Sequence, residues 1–298
     1  MEARPAAPFG ELLTATLTPF DEEGAVDYGT YWRLVRHLAE NGTEGIVVSG
    51  TTGESPTLSK VEKIALFKAA VDAAAGNLKV IAGAGTYDTA ASITLAEKAA
   101  EMGCDGLMAV TPYYSKPPQE GLYRHFTAIA EATDLPLMLY NIPGRTARLI
   151  EIETLVRLAE HPKIVAVKDA VDDIDFSLNA IAALPEGFAV YAGNDATARR
   201  IVGAGGVGVV SVAAHLVGPQ LRRLLDAVKA GDEDEAARID EALAPLIAAL
   251  FNEPNPIPLK GGMSAWWGSV GEPRLPLIPA SQETLDLIAT ALEAAQAV

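Results

Sequence analysis

A lysine that closes an apolar run is the first residue in this chain whose placement suggests chemistry. Lys168 follows Ile164-Val165-Ala166-Val167 directly, a segment that reads as a strand buried on both faces. An ammonium there is poorly solvated, and lost hydration favours the neutral amine, which attacks a ketone to form a Schiff base. The plain alternative is a lysine that pairs with Asp169 or snorkels to water. Tyr140 closes the preceding strand-like run, so phenol and amine can converge over one mouth, and Schiff-base chemistry needs a proton donor for the departing water. A tyrosine in that position otherwise packs, with its hydroxyl hydrogen-bonded. Gly50-Thr51-Thr52-Gly53-Glu54 follows one apolar run and precedes an amphipathic one. Its glycines let backbone N–H groups approach an anion such as a carboxylate, and its ordinary use is a turn with threonine caps. Arg145, in Asn141-Ile142-Pro143-Gly144-Arg145-Thr146, either clamps a carboxylate through two hydrogen bonds or is a solvated loop charge. Tyr113 and Tyr114 are adjacent, so their side chains diverge; at most one reaches this mouth, and the other packs or crosses a subunit contact.

These residues need a scaffold that gathers the ends of several strands. Eight β-rich runs occur, at 13–18, 45–48, 79–84, 106–110, 136–140, 164–168, 189–192 and 208–212. Amphipathic helical patterns lie between them at 28–40, 59–75, 89–102, 119–132, 152–160 and 173–183. Eight strands alternating with helices over the first two-thirds of the chain predict an α/β fold, a (β/α)8 TIM barrel with a C-terminal helical appendage. The catalytic barrel is expected over 1–217, with its last helix continuing beyond, and the helical region over 218–298, with helices at 219–230, 233–251 and 282–297. An open doubly wound sheet is the alternative architecture. The proline-spaced Glu253-Pro254-Asn255-Pro256-Ile257-Pro258 reads as an extended connector. In a barrel the loops after the strands carry the chemistry, and all the residues singled out above fall there.

Composition removes other classes. Of 298 residues, 49% are hydrophobic and 21% charged, which suits a folded domain rather than a disordered chain. A net charge of −16 with no local basic patch disfavours nucleic acid and anionic membranes as partners. No apolar stretch reaches the ~18–20 residues of a membrane helix, and Met1-Glu2-Ala3-Arg4-Pro5 lacks the apolar core of a secretory signal, so a cytoplasmic protein is expected. Cys104 is the single cysteine and reads as packing; with four scattered histidines it gives no metal-ligand spacing, so no metal is expected. Gly203-Ala204-Gly205-Gly206-Val207-Gly208 matches a dinucleotide fingerprint literally, yet it leads into a strand instead of following one, and no nucleotide cofactor is expected. The acidic run Asp232-Glu233-Asp234-Glu235 opens a helix, where it complements the helix dipole.

Read together and in order, Gly50-Thr51-Thr52-Gly53-Glu54-Ser55, Thr111-Pro112-Tyr113-Tyr114, Asn141 to Thr146, and Val167-Lys168-Asp169-Ala170 resemble the dihydrodipicolinate synthase family of pyruvate-using class I aldolases. Gly193-Asn194-Asp195, the glycine-rich segment ending in Ser211-Val212, and Glu253 to Lys260 extend the resemblance over nearly the whole chain. The resemblance implies condensation of pyruvate with L-aspartate 4-semialdehyde, in lysine and diaminopimelate biosynthesis. It implies Lys168 as the imine-forming residue, Tyr140 as general acid/base, and Thr51 and Tyr114 as a hydroxyl relay, with Tyr114 crossing a dimer contact. Thr51 and Thr52 would hold the pyruvate carboxylate, Arg145 the semialdehyde carboxylate, and Gly193 and Val210 would line the site through their carbonyls. No cofactor beyond the covalent imine is implied, and the assembly would be a homotetramer, a dimer of dimers. N-acetylneuraminate lyases and 2-keto-3-deoxy-sugar-acid aldolases share the lysine and tyrosine but resemble this chain less around Arg145 and over Glu253 to Lys260. A non-catalytic oxoacid-binding regulator is the alternative of another kind. Asp169 and Asn194 depart from residues common in the family, which bears on rate or substrate range. Tyr87 and Ala91 stand where lysine-inhibited members carry an Asn and a Glu, so lysine inhibition is expected to be weak or absent.

Overall fold

The computed structural model describes residues 6–298; residues 1–5, read above for the absence of a leader, lie outside them. Eight parallel strands pair in chain order, β1 (Leu12–Ala15), β2 (Gly45–Val48), β3 (Lys79–Gly83), β4 (Gly106–Val110), β5 (Leu137–Asn141), β6 (Ile164–Asp169), β7 (Ala189–Ala192) and β8 (Gly208–Ser211), and β8 returns to β1 to close the barrel. Between them run α1 (Tyr28–Glu40), α2 (Lys60–Ala74), α3 (Thr89–Met102), α4 (Gln119–Glu131), the single-turn α5 (Pro143–Thr146), α6 (Ile152–Ala159), α7 (Ile174–Ala183) and α8 (Ala198–Gly203). After β8 come α9 (Ala214–Ala230), α10 (Glu233–Leu250), α11 (Ile257–Trp266) and α12 (Gln282–Gln296). The expected (β/α)8 barrel with added C-terminal helices is therefore what forms. Among the described residues no helix is long and apolar enough to cross a membrane.

Local chemistry sets where the helices begin. Ser59 and Glu62 form a reciprocal capping box at α2, and Asp27, Asp88, Asp173 and Ser281 each accept a backbone N–H at the start of α1, α3, α7 and α12. Such caps are worth about 1 kcal/mol each. Asp232 caps α10, with Glu233, Asp234 and Glu235 in its first turn, as the acidic run required.

Strand parity divides the core into two layers. Leu13, Val47, Ile81, Met108, Met138, Ala166, Tyr191 and Val210 fill the barrel interior, while their chain neighbours, such as Leu12, Ile46, Val80, Leu107 and Val209, pack under the helices together with Cys104. Tyr191 points toward the amino-terminal end of the barrel, where its hydroxyl donates to the Gly10 carbonyl at 2.9 Å, so it plugs the floor.

Two histidines are built into the core in neutral form. His215 lies where β8 meets β1: its Nε2 accepts the Leu17 N–H at 3.3 Å, and its Nδ1 bonds the Val212 carbonyl at 2.9 Å. His125 bonds Thr89 Oγ1 through Nδ1 at 2.9 Å. Burial pushes both pKa values down to about 4. In the unfolded chain a histidine titrates near 6.5, so between pH 6.5 and 4 the unfolded state binds more protons. Their contribution is present in full above pH 6.5 and is lost as pH falls toward 4, by up to about 3 kcal/mol per histidine. We expect the melting temperature to drop steeply from pH 6.5 to 5 and His125→Gln to flatten that drop; a melting temperature constant over this range would contradict the burial of neutral histidines.

The C-terminal third differs from expectation in two places. Helix α9 begins at Ala214 rather than 219, with a kink at Val217 just before Pro219, because a proline is tolerated at the start of a new helical turn. The expected extended connector does not form: 252–254 bend, 255–256 turn, and α11 starts at Ile257 with Pro258 in its first turn, where the missing N–H costs nothing. Trp266 is exposed, whereas Trp267 packs against the core, with its ring centroid 5.4 Å from that of His37.

Candidate active site

The parity that sends Ala166 inward also sends Lys168 inward, and β5 and β6 pair Tyr140 with Lys168 in register. Both side chains stand at the carboxyl end of the barrel, 4–5% exposed, with Lys168 Nζ 4.3 Å from the centroid of the Tyr140 ring. Asp169, one residue on, faces away, and its Oδ1 accepts the Val171 N–H at 3.2 Å. Lys168 forms no ion pair among the described residues, so neither ordinary use of a strand-end lysine applies to it. Burial raises the Asp169 pKa, partly offset by hydrogen bonds from Ser177 and Val171.

Lys168 and Tyr140 open into a cavity of about 550 Å³ whose walls include Thr51, Thr52, Arg145 and Gly193. A smaller cavity of about 240 Å³ adjoins it, sharing Thr51, Tyr140 and Arg145 and adding Tyr113. Arg145 stands on α5, and that loop is stapled by the buried Asn141, which accepts the Ile150 N–H at 3.0 Å and donates to its carbonyl at 3.2 Å. The guanidinium is exposed, and its one hydrogen bond, 3.5 Å to the Asn255 carbonyl, leaves it free of carboxylates among the described residues.

The Gly50-Thr51-Thr52-Gly53-Glu54 loop is held from three sides. Glu54 and Ser55 close the turn through their N–H groups on Thr51 and Gly50. Thr18 donates to the Gly53 carbonyl at 2.7 Å, and Asn255 Nδ2 donates to Thr52 Oγ1 at 2.9 Å. The third tie is a buried ion pair: Glu54, with a left-handed backbone (φ 56°), lies 2.7 Å from Lys260 Nζ, and its Oε2 accepts the Arg274 N–H at 2.8 Å. Lys260 is further satisfied by the Glu272 carbonyl at 3.1 Å and the face of Phe20 at 4.0 Å. Burial pushes its pKa down to about 8, against the pull of Glu54. With Glu54 and Ser55 committed, the N–H groups of Thr51 and Thr52 make no backbone hydrogen bond among the described residues and remain for an anion.

On the opposite wall Gly193 donates its N–H to the Asp169 carbonyl at 2.6 Å, so closely that a Cβ there would stand 2.7 Å from that oxygen. No larger residue fits without moving the strand that carries Lys168. Asp195, fully buried, accepts hydrogen bonds from Ser211 Oγ and from the N–H groups of Val212 at 2.9 Å and Ala213 at 3.1 Å, which fixes the turn from β8 into α9.

Two expected site residues stand elsewhere. Val210 faces the inner core, and Val212 lines the cavity in its place. Tyr114 is 94% exposed on a left-handed backbone (φ 70°), outside both cavities of its own chain, whereas Tyr113 lines the smaller one. Asn255, Glu54, Lys260 and Asp195 carry the site's support and were not singled out from sequence. Lys260 alone gave a sign, as a cation among Ile257, Leu259 and Met263.

The model of the dihydrodipicolinate synthetase family matches residues 8–295, from ahead of β1 to the last turn of α12. The chain belongs to the dihydrodipicolinate synthetase family. A 4-hydroxy-tetrahydrodipicolinate synthase from Thermosynechococcus vestitus is 49% identical over 286 residues, 96% of this chain and 97% of the relative. A dihydrodipicolinate synthase from Bacillus anthracis superposes with a TM-score of 0.93 at 43% identity, covering 96% of this chain and 98% of that one. The lysine-bound enzyme from Cyanidioschyzon merolae superposes with a TM-score of 0.95 at 43% identity, covering 98% of this chain and all of that one. The likeness to dihydrodipicolinate synthetases thus spans the barrel and the C-terminal helices together, including the segment that holds Thr52 and Glu54.

Proposed function

We propose that this site condenses pyruvate, bound as an imine on Lys168, with L-aspartate 4-semialdehyde to give 4-hydroxy-tetrahydrodipicolinate and one water, a lyase reaction of the class I aldolase type. The observation that carries the reading is the inward Lys168 beneath the Tyr140 ring, in one cavity with Arg145 and Thr52. Lys168 Nζ attacks C2 of pyruvate, whose carboxylate rests on the N–H and hydroxyl groups of Thr51 and Thr52. Water leaves with a proton supplied through the Tyr140 phenol, and loss of a C3 proton gives the enamine. C3 then bonds to the aldehyde carbon of the semialdehyde, whose carboxylate pairs with Arg145, and the new alkoxide takes a proton. Finally the semialdehyde's amine attacks C2 and displaces Lys168 Nζ, which closes the ring and frees the enzyme. The imine is the electron sink, so the reaction needs no metal or redox cofactor. The backbone carbonyl of Gly193 completes the wall, beside Val212.

The reading includes a homo-oligomer, a tetramer of two dimers, in which Tyr114 of one protomer completes the Thr51–Tyr140 relay of its neighbour; its exposure and its absence from the walls of both cavities of its own chain support that use. The step belongs to lysine and diaminopimelate biosynthesis, and we assign the protein to the cytoplasm. Lysine inhibition is expected to be weak: Tyr87 is exposed and packs edge-on against Tyr113, centroids 5.3 Å apart, and Ala91 offers no polar group. Millimolar lysine should leave turnover at saturating substrate unchanged, and strong inhibition would refute this.

Arg145→Ala tests the assignment. A charge-assisted hydrogen bond is worth about 1.5–3 kcal/mol, so kcat/KM for the semialdehyde should fall roughly 10- to 100-fold. Borohydride trapping of pyruvate should stay intact, and an equal loss of both would make the arginine structural.

A further inference from the structure

The cavity above Lys168 must receive a second substrate that carries a carboxylate and an ammonium on one carbon, if the reading above holds, and on that reading the following rests. Arg145 supplies the cation for the carboxylate, so an acceptor for the ammonium has to stand beside Arg145, one carbon–carbon bond away in substrate terms. Two carboxylates line the cavity, Asp172 and Glu253. Glu253 is committed: its Oε1 accepts the Ser281 N–H at 2.9 Å and the Ser281 hydroxyl at 2.8 Å at the start of α12. Asp172, in the loop after β6, is exposed and makes no ion pair and no side-chain hydrogen bond among the described residues. A Cβ placed on Gly144 would stand 3.5 Å from its Oδ2, so this carboxylate lies over the residue that precedes Arg145. An unpaired anion and an unpaired cation therefore share one rim, separated by a glycine, without neutralising each other.

We infer that Asp172 is a specificity-determining residue, which accepts the α-ammonium of the semialdehyde while Arg145 takes its carboxylate. The pair reads the aldehyde as an amino acid. A polyhydroxylated aldehyde gains nothing from the carboxylate, and an aldehyde acid without the amine engages Arg145 alone. The interaction is partly hydrated, as an exposed ion pair is, so its effect is moderate and falls on binding rather than on the bond-forming step.

The test compares wild type with Asp172→Asn and Asp172→Glu, reading the KM for L-aspartate 4-semialdehyde, the KM for pyruvate, and the inhibition constant of succinate semialdehyde, which keeps the carboxylate and lacks the amine. Asp172→Asn should raise the semialdehyde KM about fivefold, leave the other two constants within about twofold, and be rescued by Asp172→Glu. An unchanged semialdehyde KM, or equal shifts for both aldehydes, overturns the inference while wild-type condensation keeps the proposed function. Wild type that traps pyruvate but does not condense overturns both.

Discussion

A Lys168→Ala variant is expected to yield no borohydride-fixed pyruvate adduct and to lose on the order of 10⁴-fold or more in kcat, because the proposed mechanism makes the imine on this nitrogen its electron sink. The loss should occur without unfolding. Lys168 is buried over the Tyr140 ring with no carboxylate partner among the described residues, so removing its amine strands no buried counter-charge. Lys168→Met, which keeps the stem and removes the charge, should therefore melt no lower than wild type, the usual relation between a strained functional group and stability. An undiminished adduct in Lys168→Ala would move the nucleophile to another lysine. A variant that fails to fold would mean that Lys168 holds the barrel together.

Lys260→Met should produce the largest loss of stability of any single change near the site. It leaves Glu54 wholly buried with its charge uncompensated, a situation that costs about 3–5 kcal/mol. Because Glu54 ends the loop that bears Thr51 and Thr52, pyruvate trapping should weaken at the same time. The double variant Glu54→Gln, Lys260→Met removes both charges and should recover most of the stability, since a buried pair replaced as a unit is close to neutral. Denaturant titration of the three proteins checks this. A Lys260→Met variant within about 1 kcal/mol of wild type would show that the pair is hydrated and does not anchor the loop.

The barrel and the placement of Lys168 and Tyr140 at its mouth were legible because their signals are local. Strand parity places Tyr140 and Lys168 at adjacent inward positions of β5 and β6, and each closes an apolar run that is visible in the sequence. The support was not legible because it joins residues far apart in the chain: Asn255 reaches Thr52 across 203 residues, and no spacing rule predicts that contact. Pro258 misled because a proline forbids the interior of a helix yet suits its first turn, so an extended connector and the start of α11 look alike from the residue type. Tyr114 exposes a different limit. Its adjacency to Tyr113 implied that at most one of the two reaches this cavity, and the fold selects Tyr113; the use of Tyr114 at a contact with a second copy remains a proposal.

The central claim concerns which aldehyde the Lys168 enamine attacks, and one paired assay addresses it: condensation of pyruvate with L-aspartate 4-semialdehyde, with cleavage of N-acetylneuraminate measured beside it under the same conditions. The account predicts rapid condensation and no cleavage, since it assigns the semialdehyde carboxylate to Arg145. Cleavage without condensation would keep the barrel and the imine but contradict the role given to Arg145, and silence in both, with pyruvate still bound, would make the protein a binding barrel rather than an enzyme.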